Sequence, residues 1–353
     1  RTSGVIHAGI YYRPGSLKAR LCVAGARELY EYCEERGIHA ERSGKLIVAT
    51  DETELDPLAE LEHRGHENEV PGLRRIETAE IREIEPHATG VAALHSPATG
   101  VVDFAEVAAS FGRDLAASGG SVATGSPVGA LEQAGNAISV RHARGATRAR
   151  AVVTCAGAWS DRLAVACGAP AEPRIVPFRG AYLRLRPERR DLVRANIYPV
   201  PDPDLPFLGM HLTRGIDGEV LLGPSALMVG ARDAYRLTRV RPRDLAETLS
   251  WPGSWKLAAL FRRTAWREAR NAASRRSFVE DLRRFVPELQ VSDVLPGPAG
   301  IRAQALARDG SLVDDFVVHR TERAVHVRNA PSPAATSSLA LARLIADEAE
   351  SFL

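Results

Sequence analysis

The run Ala151-Val-Val-Thr-Cys-Ala-Gly-Ala-Trp-Ser-Asp161 decides the fold class of this chain. It begins with a largely apolar stretch, which is typical of a strand buried in a parallel sheet. Gly157 ends the strand, and a helix is predicted to begin near Ser160. Free N–H groups at a helix start favour an anionic ligand, and glycine allows a close approach to the backbone. An ordinary tight turn between a strand and a helix is the alternative interpretation.

Helices and strands alternate on the N-terminal side of this run. Apolar residues at helical spacing predict helices over 16–36, 52–69, 78–85 and about 104–118, with Ser16 and Asp103 as N-caps. Strands are predicted over 45–50, 121–124, 128–132 and 137–141. With the run above, these elements predict an α/β fold.

The sequence changes in character after residue 174, where short apolar segments alternate with proline and glycine turns. The segments predict an antiparallel sheet with strands over 175–178, 182–185, 197–200, 208–212 and 220–222. Helices are predicted within 242–286, followed by strands over 295–306 and 325–327 and a last helix over 334–352. The chain therefore leaves an α/β part and returns to it, which predicts a mixed α/β and α+β architecture of two interleaved domains with a cleft between them.

Composition is that of an ordinary globular protein, with 45% hydrophobic and 25% charged residues among 353. The 46 basic and 44 acidic residues give a net charge of +2, which does not favour a nucleic-acid partner. No apolar stretch reaches about 18 residues and no signal peptide is recognised, so no membrane span is predicted. The cysteine spacing fits neither a metal site nor a disulfide framework, so we expect reduced, buried thiols in a cytoplasmic protein at Cys22, Cys33, Cys155 and Cys167.

Many runs of the chain resemble the L-2-hydroxyglutarate dehydrogenase/oxidase family, FAD enzymes of the D-amino-acid-oxidase-like class. The matching runs are colinear and lie at 3–15, 44–49, 99–103, 154–157, 174–180, 197–202, 222–224, 297–306, 309–317 and 326–338. Three positions depart from the family pattern, and they are Thr2, Ser225 and Ala307.

The resemblance implies an FAD-binding Rossmann-like domain interleaved with an antiparallel-sheet substrate domain. It assigns 1–37, 87–173 and 291–353 to the FAD-binding domain, and 38–86 and 174–290 to the substrate domain. In the family, a strand, a G-x-G-x-x-G turn and a helix precede the segment that begins here at Arg1. No such glycine pattern occurs within the chain, so we expect this first βα element to be missing.

The resemblance also implies which residues contact FAD. A helix that begins near residue 334 would place its partial positive charge at the N1–C2=O edge of the flavin. For the segment near residue 334, the alternative to a cofactor site is an ordinary terminal helix that starts with proline at 331–333. For Val128, the alternative to an FAD contact is a plain hairpin. The implied FAD contacts are Ser3, Gly4, Val128, Ala156, Gly157, Trp159, Gly300, Asn329, Ala330, Pro331, Ala334, Ala335 and Thr336.

Arg302 is the implied anchor of a substrate carboxylate, since arginine presents a planar fork that binds carboxylate at two points. The alternative role for Arg302 is a structural salt bridge. Arg179 and Tyr182 are the other implied substrate contacts, and the alternative role for Arg179 is an ion pair at a domain hinge.

A secondary alcohol needs a base for its hydroxyl proton, and a neutral histidine that titrates near pH 6 to 7 suits this role. The family pattern implies His7 or His211, and we favour His211 because its strand belongs to the substrate domain. The remaining histidines are interpreted as structural or exposed, and they are His39, His63, His66, His87, His95, His142, His319 and His326.

The implied reaction is oxidation of L-2-hydroxyglutarate to 2-oxoglutarate by hydride transfer to flavin N5, with a quinone carrier or oxygen as electron acceptor. No metal site is predicted. The alternatives are an enzyme of the same class that oxidises another 2-hydroxy acid, glycerol 3-phosphate or an amine, and a truncated, non-catalytic remnant that does not hold FAD. The expected location is cytoplasmic, with peripheral contact at the inner face of the membrane.

Overall fold

The structure is a computed structural model that describes residues 3–201 and 209–352. Its strands are β1 (Val5–Ile6), β2 (Ala40–Glu41), β3 (Lys45–Ala49), β4 (Arg74–Glu77), β5 (Ala92–Ser96), β6 (Gly100–Val102), β7 (Val128–Ala134), β8 (Ala137–His142), β9 (Gly145–Ala149), β10 (Val152–Thr154), β11 (Arg174–Leu185), β12 (Asn196–Pro199), β13 (His211–Arg214), β14 (Val220–Gly223), β15 (Leu227–Met228), β16 (Val294–Leu306), β17 (Val317–Arg320) and β18 (Ala324–Asn329).

The helices lie mostly between the strands or after them. They are α1 (Leu17–Arg36), α2 (Leu55–Glu67), α3 (Thr78–Ile84), α4 (Phe104–Ala117), α5 (Ser160–Ala166), α6 (Pro242–Ser250), α7 (Pro252–Leu260), α8 (Arg262–Ala273), α9 (Arg275–Leu282) and α10 (Ser338–Glu350). Short 3₁₀ turns occur at Glu52–Glu54, Gly157–Trp159, Pro187–Leu192 and Val291–Asp293. This mixed α/β content confirms the predicted fold class.

A large sheet forms one half of the fold, with strand order β15-β11-β14-β13-β12-β3-β5-β4 and β16 paired to β11. Its pairs are antiparallel except for β12 with β3. Apolar side chains of β3, β11, β12, β13 and β14 share one core with helix α9. Two strands of the parts predicted to bind FAD, β5 and β16, pair within this sheet.

A smaller sheet carries the run with which the sequence analysis began. Strand β10 pairs in parallel with β18, and β17 pairs antiparallel with β18. Because β10 and β18 are parallel, the loops that follow them, at 155–159 and 330–337, meet at one edge of the sheet. Strand β18 is fully buried, whereas Val153 in β10 is 43% exposed. The prediction of a strand buried along its whole length is therefore wrong for β10.

Helix α1 begins where two parts of the chain that are distant in sequence meet. Ser16 is its N-cap and accepts a hydrogen bond from the Ala19 N–H (3.2 Å). The Asp315 carboxylate accepts from the N–H groups of Leu17 (3.0 Å) and Lys18 (2.9 Å). Asp315, which lies just before β17, thus accepts from two N–H groups at the helix start that lack a partner within the helix.

Several sequence predictions are corrected by tertiary context. Residues 121–123 are not a strand, and Val122 is 59% exposed, so this segment lacks the burial that its apolar residues predicted. The two strands predicted over 175–178 and 182–185 are one strand, β11, because β16 pairs along it from end to end. The strand predicted over 208–212 begins at His211, and Leu208 lies outside the described residues.

The last helix begins at Ser338 rather than near 334. Residues 331–337 form turns, in which the Ala334 N–H donates to the Pro331 carbonyl (2.9 Å) and the Ser337 N–H donates to the Pro333 carbonyl (3.0 Å). The prediction of buried thiols holds for Cys22 and Cys33. It is wrong for Cys155, which is exposed in the loop after β10, and for Cys167, which is half-buried.

Gly25 in α1 packs directly against the 331–337 loop. A Cβ atom at Gly25 would lie 2.7 Å from the Ser337 Cα and 2.8 Å from the Thr336 carbonyl oxygen. Because backbone would have to move, we expect Gly25→Ala to lower the free energy of unfolding by about 1–3 kcal/mol. Urea unfolding followed by circular dichroism measures the change.

Gly112→Ala in α4 is the matched control, since the nearest atom to a Cβ at Gly112 is 3.9 Å away. Alanine is the better helix former, so this variant should be unchanged or more stable by up to about 1 kcal/mol. Equal losses in the two variants would contradict the packing explanation for Gly25.

Candidate active site

His7 follows β1 and joins the start of the chain to the 331–337 loop. Its N–H donates to Thr336 Oγ1 (3.0 Å), and its Nε2 lies 3.2 Å from Ser332 Oγ. Burial lowers the pKa of His7 well below its ordinary value, and the positive charge of Lys45 adds to this effect. His7 is therefore held neutral, next to the loop that the sequence assigns to the cofactor.

The loops after β10 and β18 meet at one edge of the small sheet. In the first loop, Gly157 has φ +52° and open space around its α-carbon, Ala156 is half-buried and Trp159 is 43% exposed. In the second, Asn329 is buried and donates from Nδ2 to the carbonyls of Val313 (2.9 Å) and Asp315 (2.8 Å). Two of the predicted cofactor segments are thus neighbours in space.

Buried polar atoms around these loops fit a polar cofactor. Within the part of the chain that the structure describes, His7 Nδ1, Asn329 Oδ1 and Ser337 Oγ are buried and make no hydrogen bond. Buried donors and acceptors are nearly always paired in folded proteins, so such a group of atoms indicates a bound partner. The residues present therefore fit the edge of a flavin, which carries both donors and acceptors.

The other predicted FAD contacts occupy different surroundings. The Gly4 carbonyl accepts from the Val102 N–H (2.9 Å), and the half-buried Ser3 precedes it. Val128 starts β7, is 44% exposed and lies on a strand that packs against α5. The remaining contacts lie in the turns after β18 or, for Gly300, on β16 opposite Gly180, and they are Ala330, Pro331, Ala334 and Ala335.

A second cluster lies on three adjacent strands of the large sheet. Lys45 is the first residue of β3, Tyr198 lies within β12, and His211 is the first residue of β13. The His211 ring stacks on the Tyr198 ring with 4.0 Å between centroids and an 18° angle between planes. The Lys45 Nζ lies 4.2 Å from the centroid of Tyr198 and 5.2 Å from that of Tyr11. Lys45 is 2% exposed, and burial lowers its pKa to about 7.

The sequence analysis missed Lys45, Tyr11 and Tyr198 as site residues. A signal was present, because the chain has only three lysines and one of them heads the otherwise apolar segment 45–49. All five residues of this strand are buried. A lysine at the head of a fully buried strand is rare enough to suggest a functional role.

The geometry of His211 indicates its protonation state. Its Nδ1 lies 3.1 Å from the Gly209 carbonyl, which can only accept a hydrogen bond, so Nδ1 carries the hydrogen. Burial lowers the pKa of His211 to about 3, aided by the charges of Lys45 and Arg302 and opposed by the Gly209 contact. At pH 7 the ring is neutral, and its Nε2 has a lone pair to accept a proton. The pKa is lower than the value of 6 to 7 predicted from sequence, because sequence reasoning did not include burial and two nearby cations.

Arg302 and Tyr182 lie on the adjacent strands β16 and β11, near His211. Burial lowers the pKa of Arg302, while Tyr182 and Glu268 act in the opposite direction. Burial also raises the pKa of Tyr182, and a Cβ at Gly223, the β14 partner of His211, would lie 3.2 Å from the Tyr182 ring. The structure thus brings Arg302, Tyr182 and His211 into one region, and their roles in substrate binding and catalysis stay predictions.

Arg179 has a different environment. Its Nε donates to the Tyr235 carbonyl (3.2 Å), and burial lowers its pKa. The ion pairs where the chain enters the large sheet involve other residues, since Arg232 binds Asp161, whose carboxylate also accepts from the Ile175 N–H (3.0 Å). A substrate contact for Arg179 stays a prediction.

The fold and this arrangement agree with what is known of related proteins. Residues 1–348 match the sequence family described as FAD dependent oxidoreductase. The chain belongs to this family. FAD is therefore its cofactor, in agreement with the prediction and with the polar atoms around His7 and Asn329.

The most similar family members include L-2-hydroxyglutarate dehydrogenases. The Homo sapiens enzyme is 46% identical over 365 residues, which cover 99% of this chain and 79% of that protein. A relative from Indibacter alkaliphilus is 42% identical over 340 residues, which cover 96% of this chain and 85% of that protein. Among solved structures, L-alpha-glycerophosphate oxidase from Mycoplasma pneumoniae, with FAD bound, has a TM-score of 0.76 at 22% identity, covering 99% of this chain and 84% of that chain. The last likeness concerns the fold alone.

The predicted cytoplasmic location at the inner face of the membrane is wrong by these comparisons. The relatives from Bos taurus, Nematostella vectensis, Homo sapiens and Mus musculus are all named as mitochondrial. The cysteine content and the lack of a recognised leader, on which the prediction depended, do not distinguish these compartments. In the described residues, none of the helices is both long and apolar enough to cross a membrane.

Thr336 ties the opening loop to the turns after β18, so its hydroxyl should matter for stability. Thr336→Val leaves the His7 N–H without its acceptor, and we expect a loss of about 1–3 kcal/mol in the free energy of unfolding. Urea unfolding of the two proteins measures this loss. Thr336→Ser keeps the hydroxyl and should retain most of the stability, so a serine variant as weak as the valine variant would argue against the hydrogen bond.

Proposed function

We propose that this chain oxidises L-2-hydroxyglutarate to 2-oxoglutarate. The relatives named L-2-hydroxyglutarate dehydrogenase, at up to 46% identity over nearly the whole chain, support this substrate. The observation that carries the proposal is the placement of a neutral imidazole, His211, in the field of two cations, Lys45 and Arg302. A dicarboxylate alcohol needs such a combination, namely positive charge for its carboxylates and a base for its hydroxyl.

FAD, when bound, accepts the hydride from C2 of the substrate. We infer that His7, Asn329, Thr336 and the backbone at Gly157 hold it, because His7 and Asn329 carry unpaired buried polar atoms, Thr336 accepts from the His7 N–H, and Gly157 leaves open space at its loop. Trp159 and Val128, two of the implied FAD contacts, are 43% and 44% exposed and so offer apolar surface. Asn329, Thr336 and Gly157 keep the role that the resemblance implied, whereas His7 was predicted as a candidate base.

Arg302 is proposed to hold a substrate carboxylate through two parallel N–H···O bonds. Arg302 lies on β16, Tyr182 acts on it, and its own charge acts on His211, which supports a carboxylate site next to the base. The hydroxyl of a 2-hydroxy acid is attached to the carbon next to the carboxylate. An anchor at Arg302 therefore brings the hydroxyl towards His211.

His211 is proposed to accept the hydroxyl proton at Nε2. Nδ1 is engaged with the Gly209 carbonyl, which fixes both the tautomer and the orientation of the ring. A pKa of about 3 describes the ring without substrate, and a base works best when its pKa is near the operating pH. The negative charge of a bound dicarboxylate raises the pKa of His211 again, so the base strengthens when substrate is present.

We also propose that a quinone carrier or oxygen is the final electron acceptor. A separate proposal is that the large sheet forms the core of the substrate domain. The second proposal follows from the positions of Arg302, Tyr182, Lys45 and His211, all of which lie on strands of this sheet. Reoxidation of the reduced enzyme by a soluble quinone analogue, compared with air, distinguishes the two acceptors.

A substrate panel tests the function. The purified protein, loaded with FAD, is mixed anaerobically with L-2-hydroxyglutarate, D-2-hydroxyglutarate, L-2-hydroxybutyrate, glycerol 3-phosphate and glycine, and bleaching of the flavin absorbance is followed. We expect the L-dicarboxylate to reduce the flavin with the highest second-order rate constant. Faster reduction by glycerol 3-phosphate or glycine would replace the proposal by another activity of the same family.

His211→Gln tests the base. Removal of a general base typically slows the chemical step by about 10²–10⁴-fold, and we expect this loss in the stopped-flow rate of flavin reduction, with FAD content unchanged. His7→Gln is the comparison, and it should lose less because His7 contacts the predicted cofactor loop through Ser332. Reduction at the parent rate in both variants would exclude both histidines as the base.

A further inference from the structure

Lys45 is a buried cation whose described contacts are aromatic rings. It heads β3, in which every residue is buried, and it is itself 2% exposed. Its ammonium lies 4.2 Å from the Tyr198 ring centroid and 5.2 Å from the Tyr11 ring centroid. An ammonium removed from water without a paired carboxylate is costly, so a role in function is the natural explanation.

Lys18 gives a useful contrast within the same region. It is also buried at 6% exposure and acts on His7, but its Nζ makes a 2.9 Å ion pair with Asp314. For Lys45, the group that opposes the effect of burial on its pKa is the Cys22 thiol, itself raised by burial to a pKa of about 12. The positive charge of Lys45 is therefore not offset by a neighbouring acid as that of Lys18 is.

The Tyr198 ring connects Lys45 to the proposed base. Lys45 lies on β3 and Tyr198 on β12, which is the parallel neighbour of β3, and His211 starts the next strand, β13. The His211 ring stacks on Tyr198 at 4.0 Å, so cation and imidazole share one aromatic neighbour. The field of Lys45 also reaches His7 and lowers the pKa of both histidines.

We propose that Lys45 is a positioning residue for the reaction, whose positive charge beside the shared Tyr198 ring adds to burial in disfavouring protonation of His211 and His7, so that a lone pair is available for the substrate hydroxyl proton. The inference rests on the proposed function, because it assigns the state of the proposed base. Lys45 acts through the imidazoles and is not required to touch the substrate.

The groups that face Lys45 support this interpretation. They are Tyr11 from the opening loop, Cys22 from α1, Tyr198 from β12, His211 from β13 and His7 after β1. The pKa values of both tyrosines are raised by burial, so these rings are neutral near pH 7. Within this described set, Lys45 carries positive charge below neutral pH, and Arg302 is the second cation that acts on His211.

The sign of the effect follows from this arrangement. A nearby positive charge opposes protonation of an imidazole, and its removal raises the pKa of His211. The acid limb of the reaction, where the base becomes protonated, then moves to higher pH. One unit charge several ångströms away, at an effective dielectric constant of about 20, corresponds to a shift of about one pH unit.

The test uses the FAD-loaded protein with three variants. Lys45→Met removes the charge at similar volume, Lys45→Arg retains it, and Lys256→Met makes the same chemical change at an exposed position. Two quantities are measured, namely the pH profile of flavin reduction by L-2-hydroxyglutarate and the titration of ¹⁵N-labelled histidine rings by NMR. The spectrum of His211→Gln assigns the His211 signals.

We expect Lys45→Met to move the acid limb and the His211 titration upward by about one pH unit, with the arginine and Lys256→Met proteins close to the parent. An unmoved His211 titration in Lys45→Met would overturn the proposal. A loss of affinity for dicarboxylates alone, without a pH shift, would also overturn it and make Lys45 a substrate anchor.

The NMR titration separates this proposal from the proposed function, because it needs no turnover. If L-2-hydroxyglutarate does not reduce the flavin, the function fails, while the His211 titration still decides the role of Lys45. If Lys45→Met does not fold, Lys45→Gln replaces it, and the parent protein provides a further check. A His211 ring that titrates near the ordinary value of about 6.5 in the parent would contradict the inference.

Discussion

The fold depends on hydrogen bonds that tie the first residues of the chain to segments more than 290 positions later. Asp315 accepts from the N–H groups at the start of α1, and Thr336 accepts from the His7 N–H. Gly25 lets the 331–337 loop lie directly on α1. Without these contacts, the loop after β18 would have no fixed position relative to His7, and the unpaired polar atoms of Asn329 and Ser337 would not share one region with it.

Burial is the second constraint, and it controls the chemistry of the site. His211 is neutral because it is enclosed and because Lys45 and Arg302 oppose its protonation. The same enclosure lowers the pKa of Lys45 to about 7, so this cation is itself close to losing its proton at neutral pH. A site of this kind is prepared for an anion, since a bound carboxylate relieves the repulsion among the cations and strengthens the base at the same time.

Local signals predicted much of the fold. Helix α1 was predicted over 16–36 with a cap at Ser16, and both the cap and the end hold, because a cap is a property of neighbouring residues. The apolar sequence of β10 predicted that it would lie in a parallel sheet, and it pairs in parallel with β18. Strand β11 was predicted as two strands because Arg179-Gly180 has the character of a turn, but β16 pairs along its whole length, with one irregularity between Ala181 and Leu183. The sequence of residues 174–185 alone does not predict pairing with a strand more than 100 residues later.

The candidate site was predicted unevenly for a similar reason. Arg302, His7 and His211 were found through the resemblance, and the structure places them around one part of the large sheet and its neighbouring loop. Lys45 was assigned only to a strand, since nothing in residues 45–49 tells which ring its ammonium approaches. The low pKa of His211 also required knowledge of distant neighbours, and the location was misjudged because cysteine usage does not report an organelle.

The Asp315 cap has a consequence for how the protein is made. A chain that emerges from the ribosome exposes Leu17 and Lys18 long before Asp315 has been synthesised, so α1 lacks these acceptors during most of translation. The antiparallel core of β11 with its neighbours β14 and β15 is complete in sequence earlier. The contacts of α1 and His7 with Asp315 and Thr336 therefore form only after this late segment has left the exit tunnel.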